Sequence, residues 1–254
     1  MRAIIMAAGI GSRLRGISGD RPKCLIQAGE RTLLRRMIGQ LRDVGVDDVS
    51  VITGYKAALI HEELPRGVRR LHNAFYSVTN SIASLWLARG LLSEDTLLMN
   101  ADLYFEPEVL DIALEQVHPV AMLSDHRRIE SADFRFRTRG NSIVEAGKHI
   151  SDQDTDCEYV GIVRLDGSFI EIFRKRLEEM IKRGRFSDWW EAVLYSFMGG
   201  EVDIKCADVR GAFWTEVDHA GDYARLSDWL ARQPARPPEE TGRDLVRTAT
   251  HPPF

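Results

Sequence analysis

Glycines and basic side chains near the start of the chain form a pattern suited to binding phosphate. Gly9 and Gly11 follow an apolar run at 3–8 and precede four cationic residues: Arg13, Arg15, Arg21 and Lys23. Glycines let the backbone bring its N–H groups close to an anion, and the cationic side chains neutralise its charge. The spacing fits neither the P-loop nor the dinucleotide-binding fingerprint. It therefore predicts a phosphate-binding loop of another kind.

Acidic residues follow two other predicted strands. Asp102 comes directly after the apolar segment 96–101. Ligands of open parallel sheets bind outside the carboxyl ends of the strands, so an acid there is well placed for chemistry, although it could also be a turn former or a helix cap. Glu216 and Asp218 are two residues apart. If that segment is a strand, both acids lie on one face and can turn toward Asp102.

Alternating strands and helices are predicted to position these residues. Strands at 3–8 and 49–53 flank a helix whose apolar residues recur at helical spacing from Leu33 to Leu41. This order implies a right-handed crossover and a parallel sheet. Further segments are predicted as strands or helices. The strands are 68–71, 96–101, 120–123 and a pair within 133–147, and the helices are 107–117 and 169–181.

Composition limits the classes of partner and location. The 254 residues are 44% hydrophobic, enough for one sizeable α/β domain. A net charge of −4 argues against nucleic acid as a partner, and no apolar run is long enough to span a membrane. The three cysteines show no metal-type spacing, and the first residues lack the pattern of a signal peptide. We therefore expect a cytoplasmic protein without disulfides.

The N-terminal segment resembles the signature of nucleotidyltransferases that activate sugar phosphates and phosphocholine-type substrates. That signature is an apolar strand, then A-A-G-x-G-S/T-R-L/M, then P-K. The matching residues are Ala7, Ala8, Gly9, Gly11, Ser12, Arg13, Leu14, Pro22 and Lys23. The resemblance covers 1–232 and implies a Rossmann-like three-layer α/β/α fold with a mixed, mostly parallel sheet. It also implies a small β-rich acceptor-binding insertion at about 124–200, and we expect 233–254 to be a flexible tail.

The resemblance implies a nucleotide site built largely from the N-terminal loop. Arg13 and the backbone of 9–12 would hold the β- and γ-phosphates, and Lys23 the α-phosphate region, so Arg13 and Lys23 are the predicted catalytic residues. A later segment is similar to one that lines the base and substrate pocket in phosphocholine and phosphonate cytidylyltransferases. It contributes Asn73, Tyr76, Asn80, Ser84 and Leu85. The same segment also fits a capped core helix, and both interpretations can hold together.

The acceptor and metal sites are implied in the same way. Asp102 and Asp218 are predicted to bind Mg²⁺, with Asp102 also contacting the nucleotide. Lys148 resembles a lysine that holds the acceptor phosphate. The other predicted acceptor residues are Tyr76, Glu158, Tyr159, Gly161, Trp189, Trp190, Glu191 and Glu216. An aromatic face with a carboxylate could receive a cationic headgroup or a sugar, although the two tryptophans would equally suit a helix start packed in the core.

The implied activity is Mg²⁺-dependent transfer of a nucleoside monophosphate, with CTP favoured as donor. The acceptor would be a small phosphate or phosphonate such as phosphocholine or a 2-aminoethyl- or hydroxyethylphosphonate, with release of pyrophosphate. One alternative is a sugar- or cyclitol-1-phosphate nucleotidyltransferase using GTP, dTTP or UTP. Another is a catalytically silent nucleotide-binding paralogue, consistent with Asn100 where related motifs carry an acid. Assembly as a homodimer is left open.

Overall fold

The computed structural model describes residues 1–11, 14–129, 132–200 and 202–233. Its strands are β1 (Arg2–Ala7), β2 (Gln27–Ala28), β3 (Arg31–Thr32), β4 (Asp48–Thr53), β5 (Arg69–His72), β6 (Thr96–Asn100), β7 (Leu103–Phe105), β8 (Val120–Asp125), β9 (Arg135–Arg139), β10 (Ser142–Gly147), β11 (Cys157–Leu165), β12 (Lys205–Asp208) and β13 (Trp214–Glu216). Its helices are α1 (Arg15–Ser18), α2 (Leu33–Asp43), α3 (Ala57–Glu63), α4 (Ser81–Leu87), α5 (Glu108–Leu114), α6 (Gly167–Lys182), α7 (Ala192–Tyr195) and α8 (Ala220–Arg232). The predicted tail lies outside the described residues beyond Gln233.

A mixed nine-stranded sheet forms the centre of the molecule, in the order β5-β4-β1-β6-β11-β8-β12-β10-β9. The first four strands are parallel, as the predicted crossovers require. Strands β10 and β11 run opposite to the other seven, so the sheet is mixed, as predicted. It is not mostly parallel, because four of its strand pairings are parallel and five are antiparallel. The predicted strand pair within 133–147 forms β9 and β10, which belong to this sheet rather than to a separate one.

The far end of the sheet curls back on itself. Strand β9 pairs with β10 and also with β11, so β11, β8, β12, β10 and β9 close into a small barrel-like ring. The opposite end of the sheet is an open edge formed by β5, whose outer side pairs with no described strand. The sheet therefore has one closed and one open end.

Alternation along β1 explains the three layers. Ile5 packs in a cluster with residues of α2 and α5, whereas Ile4 packs in a second cluster with residues of α4 and α6. Successive side chains of a strand point to opposite faces, so a strand covered by helices on both sides is apolar throughout. The continuous apolar run at 3–8 is the sequence pattern of such a strand.

The predicted helix from Leu33 illustrates how local sequence determines an element. The Thr32 side chain accepts a hydrogen bond from the backbone N–H of Arg35 and caps α2. Leu34 and Met37 are buried against the central sheet, whereas Leu33 is buried on another side of the helix, in a cluster with Ile26 and Tyr104. Among the described residues, no helix combines the length and the apolar character needed to cross a membrane.

Candidate active site

A cavity of about 380 Å³ opens at the carboxyl ends of β1 and β6. Fifteen of the residues predicted from sequence line it, and they come from both ends of the chain. They are Ala8, Gly9, Gly11, Lys23, Asn73, Tyr76, Asn80, Ser84, Asp102, Lys148, Tyr159, Trp189, Glu191, Glu216 and Asp218. The fold thus brings the predicted nucleotide, metal and acceptor residues together around one space.

Seven predicted site residues are not among the lining residues. Ala7 is the buried last residue of β1, directly before the loop, and Leu85 is buried in the core. Ser12 and Arg13 lie outside the described residues, so their predicted contacts with phosphate stay predictions. Glu158, Gly161 and Trp190 are described, but they are placed differently from the prediction, as set out below.

Lys23 reaches the cavity across the glycine loop. It begins a short 3₁₀ turn after Pro22 that is anchored by the buried side chains of Cys24 and Leu25. Gly11 has a φ of +62°, and a Cβ atom there would collide with the Lys23 side chain. Glycine at position 11 therefore allows both the left-handed turn and the close passage of the lysine.

Two distant segments bring three acids together. Asp102 lies between β6 and β7, and β7 pairs antiparallel with β13, which ends at Glu216. The backbone N–H of Val217 donates to the carbonyl of Asp102 at 2.9 Å, which joins the two turns directly. One carboxylate oxygen from each of Asp102, Glu216 and Asp218 lies within 4.8 Å of the others. The predicted convergence of Asp102 and Asp218 is therefore present, and Glu216 completes a cluster.

The Lys23 ammonium lies between two of these acids. Its Nζ is 2.5 Å from Asp102 Oδ2 and also contacts Asp218 Oδ1. Burial lowers the pKa of Lys23, but the two carboxylates outweigh it and the net shift is upward, so the lysine is charged. Burial raises the pKa of Glu216 well above its usual value, and the charges of Asp102 and Asp218 raise it further. The cluster gathers negative charge that a divalent cation could balance.

The nucleotide side of the cavity is organised by the start of α4. The sequence left the cap of this helix open between Asn80 and Ser81, and Asn80 provides it by accepting from the N–H of Ser81. The Asn80 backbone N–H donates to the carbonyl of Phe186 at 2.8 Å, which ties the helix to the segment carrying the tryptophans. Asn73 is buried and donates to Ser84 Oγ at 2.9 Å. The segment is thus both a capped core helix and a cavity wall.

Aromatic rings form the other side of the cavity. Phe134 stacks on Tyr195 with ring centroids 5.4 Å apart, and Trp189 meets Phe134 edge-on at 5.9 Å. The Lys148 ammonium lies 5.5 Å from the Trp189 ring centroid and forms an ion pair with Asp133 at 2.6 Å. We call this part of the cavity, formed by the rings of Phe134, Trp189 and Tyr195, the aromatic recess.

Trp190 and Asn100 position Glu191 beside the recess. Trp190 is buried and its indole N–H donates to Asn100 Oδ1 at 3.0 Å. This leaves the Asn100 amide group pointing at Glu191 Oε1, 3.4 Å away. Burial raises the pKa of Glu191 to about 7. The predicted substrate contact of Trp190 is therefore replaced by a supporting role in the core.

Glu158 and Gly161 also serve the fold rather than the cavity. Neighbouring residues of a strand face opposite sides, so Tyr159 enters the cavity and Glu158 does not. Glu158 is buried, accepts from the N–H of Asp133 and lies 3.5 Å from the Arg128 guanidinium. Gly161 has a φ of +91°, and a Cβ atom there would press on Leu103 and Asn100 at 3.0 and 3.3 Å. Its small size serves internal packing.

The sequence predicted no site role for Tyr195 or for the segment 133–136. Asp133, Phe134 and Tyr195 all line the cavity. Tyr195 lies four residues after Glu191, which is one helical turn, and this spacing is the signal that could have indicated it. The Tyr159 hydroxyl is buried and has no hydrogen-bond partner among the described residues. It is therefore a polar group that the described residues leave without a hydrogen bond.

The sequence pattern of one protein family, the MobA-like NTP transferase domain, matches residues 3–177, well over half of the chain. The chain belongs to this family of nucleotidyltransferases. A CMP-5'-(3-aminopropyl)phosphonate synthase from Streptomyces rubellomurinus is 30% identical over 259 residues, covering 96% of this chain and 40% of that protein. A choline-phosphate cytidylyltransferase from Streptococcus pneumoniae is 25% identical over 242 residues, covering 92% of this chain and all of that protein.

Solved structures agree on the fold. The inositol-1-phosphate CTP transferase from T. maritima superposes with a TM-score of 0.74 at 22% identity, covering 92% of this chain and 98% of that one. The predicted Rossmann-like α/β nucleotidyltransferase fold is thereby confirmed. The chain spans less than half of the aminopropylphosphonate synthase but the full length of the choline-phosphate enzyme. These likenesses therefore establish the family and the fold, but not which donor and acceptor this chain uses.

Proposed function

We propose that the chain transfers CMP from CTP to the phosphonate or phosphate group of a small acceptor that carries a primary ammonium group. The observation that carries this proposal is the continuity of one cavity. It joins the glycine loop, Lys23 and the three acids to the aromatic recess. A triphosphate and a cationic phosphorus acid need these two surroundings side by side.

The names of the two relatives support the same chemistry. Each name refers to a cytidine nucleotide and to an acceptor that combines a phosphonate or phosphate group with a nitrogen cation. Aromatic faces attract such cations by about 0.5–2 kcal/mol. The Glu191 side chain, which lines the cavity, can also accept hydrogen bonds, which a primary ammonium group donates and a trimethylammonium group cannot. For this reason we favour an aminoalkyl acceptor over phosphocholine.

The reaction is an in-line displacement. An acceptor oxygen forms a bond to the α-phosphorus of CTP while the bond to the β-phosphate oxygen breaks, and pyrophosphate leaves with the electron pair. The acceptor oxygen is already ionised near neutral pH, so no general base is required. Lys23 and the backbone N–H groups of the glycine loop stabilise charge on the phosphate oxygens. Arg13 and Ser12 are proposed to hold the β- and γ-phosphates.

Asp102 and Asp218 are proposed to hold Mg²⁺, with Glu216 beside them. Three carboxylates are a hard, anionic donor set that suits this ion, and their oxygens are already close together. When bound, the ion supplies positive charge to the phosphate oxygens. Lys23 can then pair with phosphate instead of bridging the two aspartates.

The proposal is tested by measuring pyrophosphate release from CTP, UTP, GTP and dTTP with Mg²⁺ and four acceptors. These are 3-aminopropylphosphonate, 2-aminoethylphosphonate, phosphocholine and glucose-1-phosphate. We expect the highest kcat/KM with CTP and an aminoalkylphosphonate. Turnover confined to glucose-1-phosphate and another nucleotide would support the sugar-phosphate alternative. Binding of CTP without turnover for any acceptor would support the silent paralogue.

A further inference from the structure

A second cluster of potential ligands lies in the closed end of the sheet, apart from the three acids. One ligand atom from each of His126, Cys157 and Cys206 lies within 4.8 Å of the others. Cys157 begins β11, Cys206 lies in β12, and His126 directly follows β8, the strand between them. The cysteines are 49 residues apart in sequence and do not form a C-x-x-C motif, so their spacing does not reveal this proximity.

The surroundings fit a bound ion with one open side. Both cysteines are buried in the same core cluster, whereas His126 is exposed to solvent. A buried pair of sulfur ligands keeps competing water away, and the exposed imidazole provides an entry path. Ser124 is buried on β8, and its Oγ lies 3.4 Å from His126 Nε2, where it can orient the ring.

We infer that His126, Cys157 and Cys206 form a binding site for a thiophilic transition-metal ion, with Zn²⁺ the best fit. Two thiolates and a neutral imidazole, with water in the fourth position, are an established donor set for this ion. Zinc distances of about 2.0–2.3 Å place ligand atoms about 3.5–4 Å apart, so the cluster needs to contract by about an ångström or less. The ion would tie together β8, β11 and β12.

Charge balance favours the same ion. Two thiolates cancel the charge of a divalent cation, so the bound site buries no net charge. A hard ion such as Mg²⁺ prefers oxygen ligands and would not compete for these sulfurs. The two clusters should therefore select different metals.

The test uses the full chain, reduced, stripped of metal and titrated with Co²⁺ under nitrogen. We expect a near-ultraviolet thiolate-to-cobalt charge-transfer band and the visible bands of tetrahedral Co²⁺, at one equivalent per chain, displaced by Zn²⁺. Cys206→Ser should abolish the charge-transfer band or weaken Zn²⁺ binding by about 100-fold or more. Asp218→Asn should leave the band intact, because its carboxylate belongs to the other cluster.

Cys24→Ala is the matched cysteine control. Cys24 is also buried and free, but it lies next to Lys23, away from this cluster, so its removal should leave the band unchanged. If a buried cysteine variant fails to fold, the exposed His126→Ala still tests the site, with circular dichroism to verify the fold. The inference is overturned if the wild-type chain shows no thiolate band with Co²⁺, whether its thiols remain free or oxidise. It is also overturned if Cys206→Ser and His126→Ala both retain full Zn²⁺ affinity.

Discussion

Lys23 contacts the same two aspartates that are proposed to hold the metal ion. Its ammonium group balances their charge in the structure described here. A divalent cation arriving at Asp102 and Asp218 would take over that role. The lysine then becomes available to phosphate, so cation and nucleotide binding are coupled through one side chain.

Lys23→Ala should therefore separate metal binding from catalysis. Without the ammonium, the two aspartates repel each other, so we expect the variant to bind Mn²⁺ more tightly than the wild-type chain does. Turnover of CTP should fall by about 100-fold or more, because charge on the phosphate oxygens loses a partner. Mn²⁺ titration by electron paramagnetic resonance and a pyrophosphate assay check the two effects.

Lys56→Ala is the control for this experiment. Lys56 pairs with Asp20 at the surface and does not line the cavity, so both readouts should stay at wild-type values. Wild-type turnover by Lys23→Ala would contradict the proposed role of this lysine. Weaker Mn²⁺ binding by Lys23→Ala would contradict its competition with the metal.

Replacing Trp189 should separate binding of the acceptor from binding of the nucleotide. Its side chain is 45% exposed and lines the aromatic recess, so truncation should leave the fold intact. We expect Trp189→Ala to raise the KM for the cationic acceptor by about 3- to 30-fold, the value of one aromatic contact with a cation. The KM for CTP should change little. Steady-state kinetics with each substrate varied in turn measures both.

Phe186→Ala is the matched aromatic control, because Phe186 is equally exposed in the same segment but does not line the cavity. It should leave both KM values unchanged. An equal rise in the acceptor KM for the two variants would mean that the segment is disturbed as a whole, and the assigned contact of Trp189 would be wrong.

At the scale of elements, Gly161 allows the irregular part of β11 to pack closely against Leu103 and Asn100. The pairing of β11 with β8 shifts register between Tyr159 and Val163, and Gly161 lies within this irregularity with a positive φ. Gly161→Ala adds a strained backbone and an overlap with Leu103 and Asn100. We expect a loss of about 2–4 kcal/mol in the free energy of unfolding, measured in urea.

Gly140→Ala isolates the backbone contribution. Gly140 has a φ of +63° in the turn between β9 and β10, and a Cβ atom there would meet nothing within 4 Å. This variant should lose only about 1–2 kcal/mol. If the two variants lose the same free energy, the packing of Leu103 and Asn100 against position 161 is unimportant.

Elements with a strong local signal were predictable from the sequence. The N-terminal strand, the capped helix from Leu33 and the hairpin around Gly140 all follow from short-range patterns, and each is present. Side-chain direction was harder to predict. Both residues of the pair Glu158 and Tyr159, and both of the pair Trp189 and Trp190, were predicted to contact the substrate. Only Tyr159 and Trp189 line the cavity. Strand alternation could have separated the first pair.

The meeting of distant segments was predicted only in part. The convergence of Asp102 with Asp218 was inferred from the position of Asp102 after a strand, from the alternation that places Glu216 and Asp218 on one face, and from the family resemblance. The pairing of β7 with β13 that produces it was not, because a three-residue strand has little pattern of its own. The cluster of His126 with two cysteines depends on the curling of the whole sheet. No local pattern in the sequence encodes such long-range geometry.

At the scale of the whole molecule, burying Glu191 affects how stability depends on pH. Burial raises its pKa to about 7 from an ordinary 4.5, so between these values the folded chain keeps a proton that the unfolded chain has lost. The free energy of unfolding therefore decreases as pH rises through this range and remains lower above it. Above pH 7 this contribution is on the order of 3 kcal/mol.

Glu191→Gln should remove that contribution, since the amide has no charge to bury. The difference in unfolding free energy between the variant and the wild-type chain should therefore be larger at pH 8 than at pH 5, in favour of the variant, by on the order of 2 kcal/mol. Urea unfolding at both pH values, without metal or nucleotide, measures the difference. Glu171→Gln, on the exposed surface of α6, should show no such gain. An identical pH response of Glu191→Gln and wild-type chains would contradict the prediction.

The open edge formed by β5 has a consequence for the behaviour of this protein at high concentration. Unpaired backbone groups on an edge strand can template the addition of a strand from another molecule, which is a route to aggregation. Three of the four residues of β5, Arg69, Arg70 and His72, are exposed and basic in character. Arg69 also pairs with Asp48 at 3.6 Å, but two copies brought together there would still place their Arg70 side chains near each other, and this repulsion would oppose the addition of a strand.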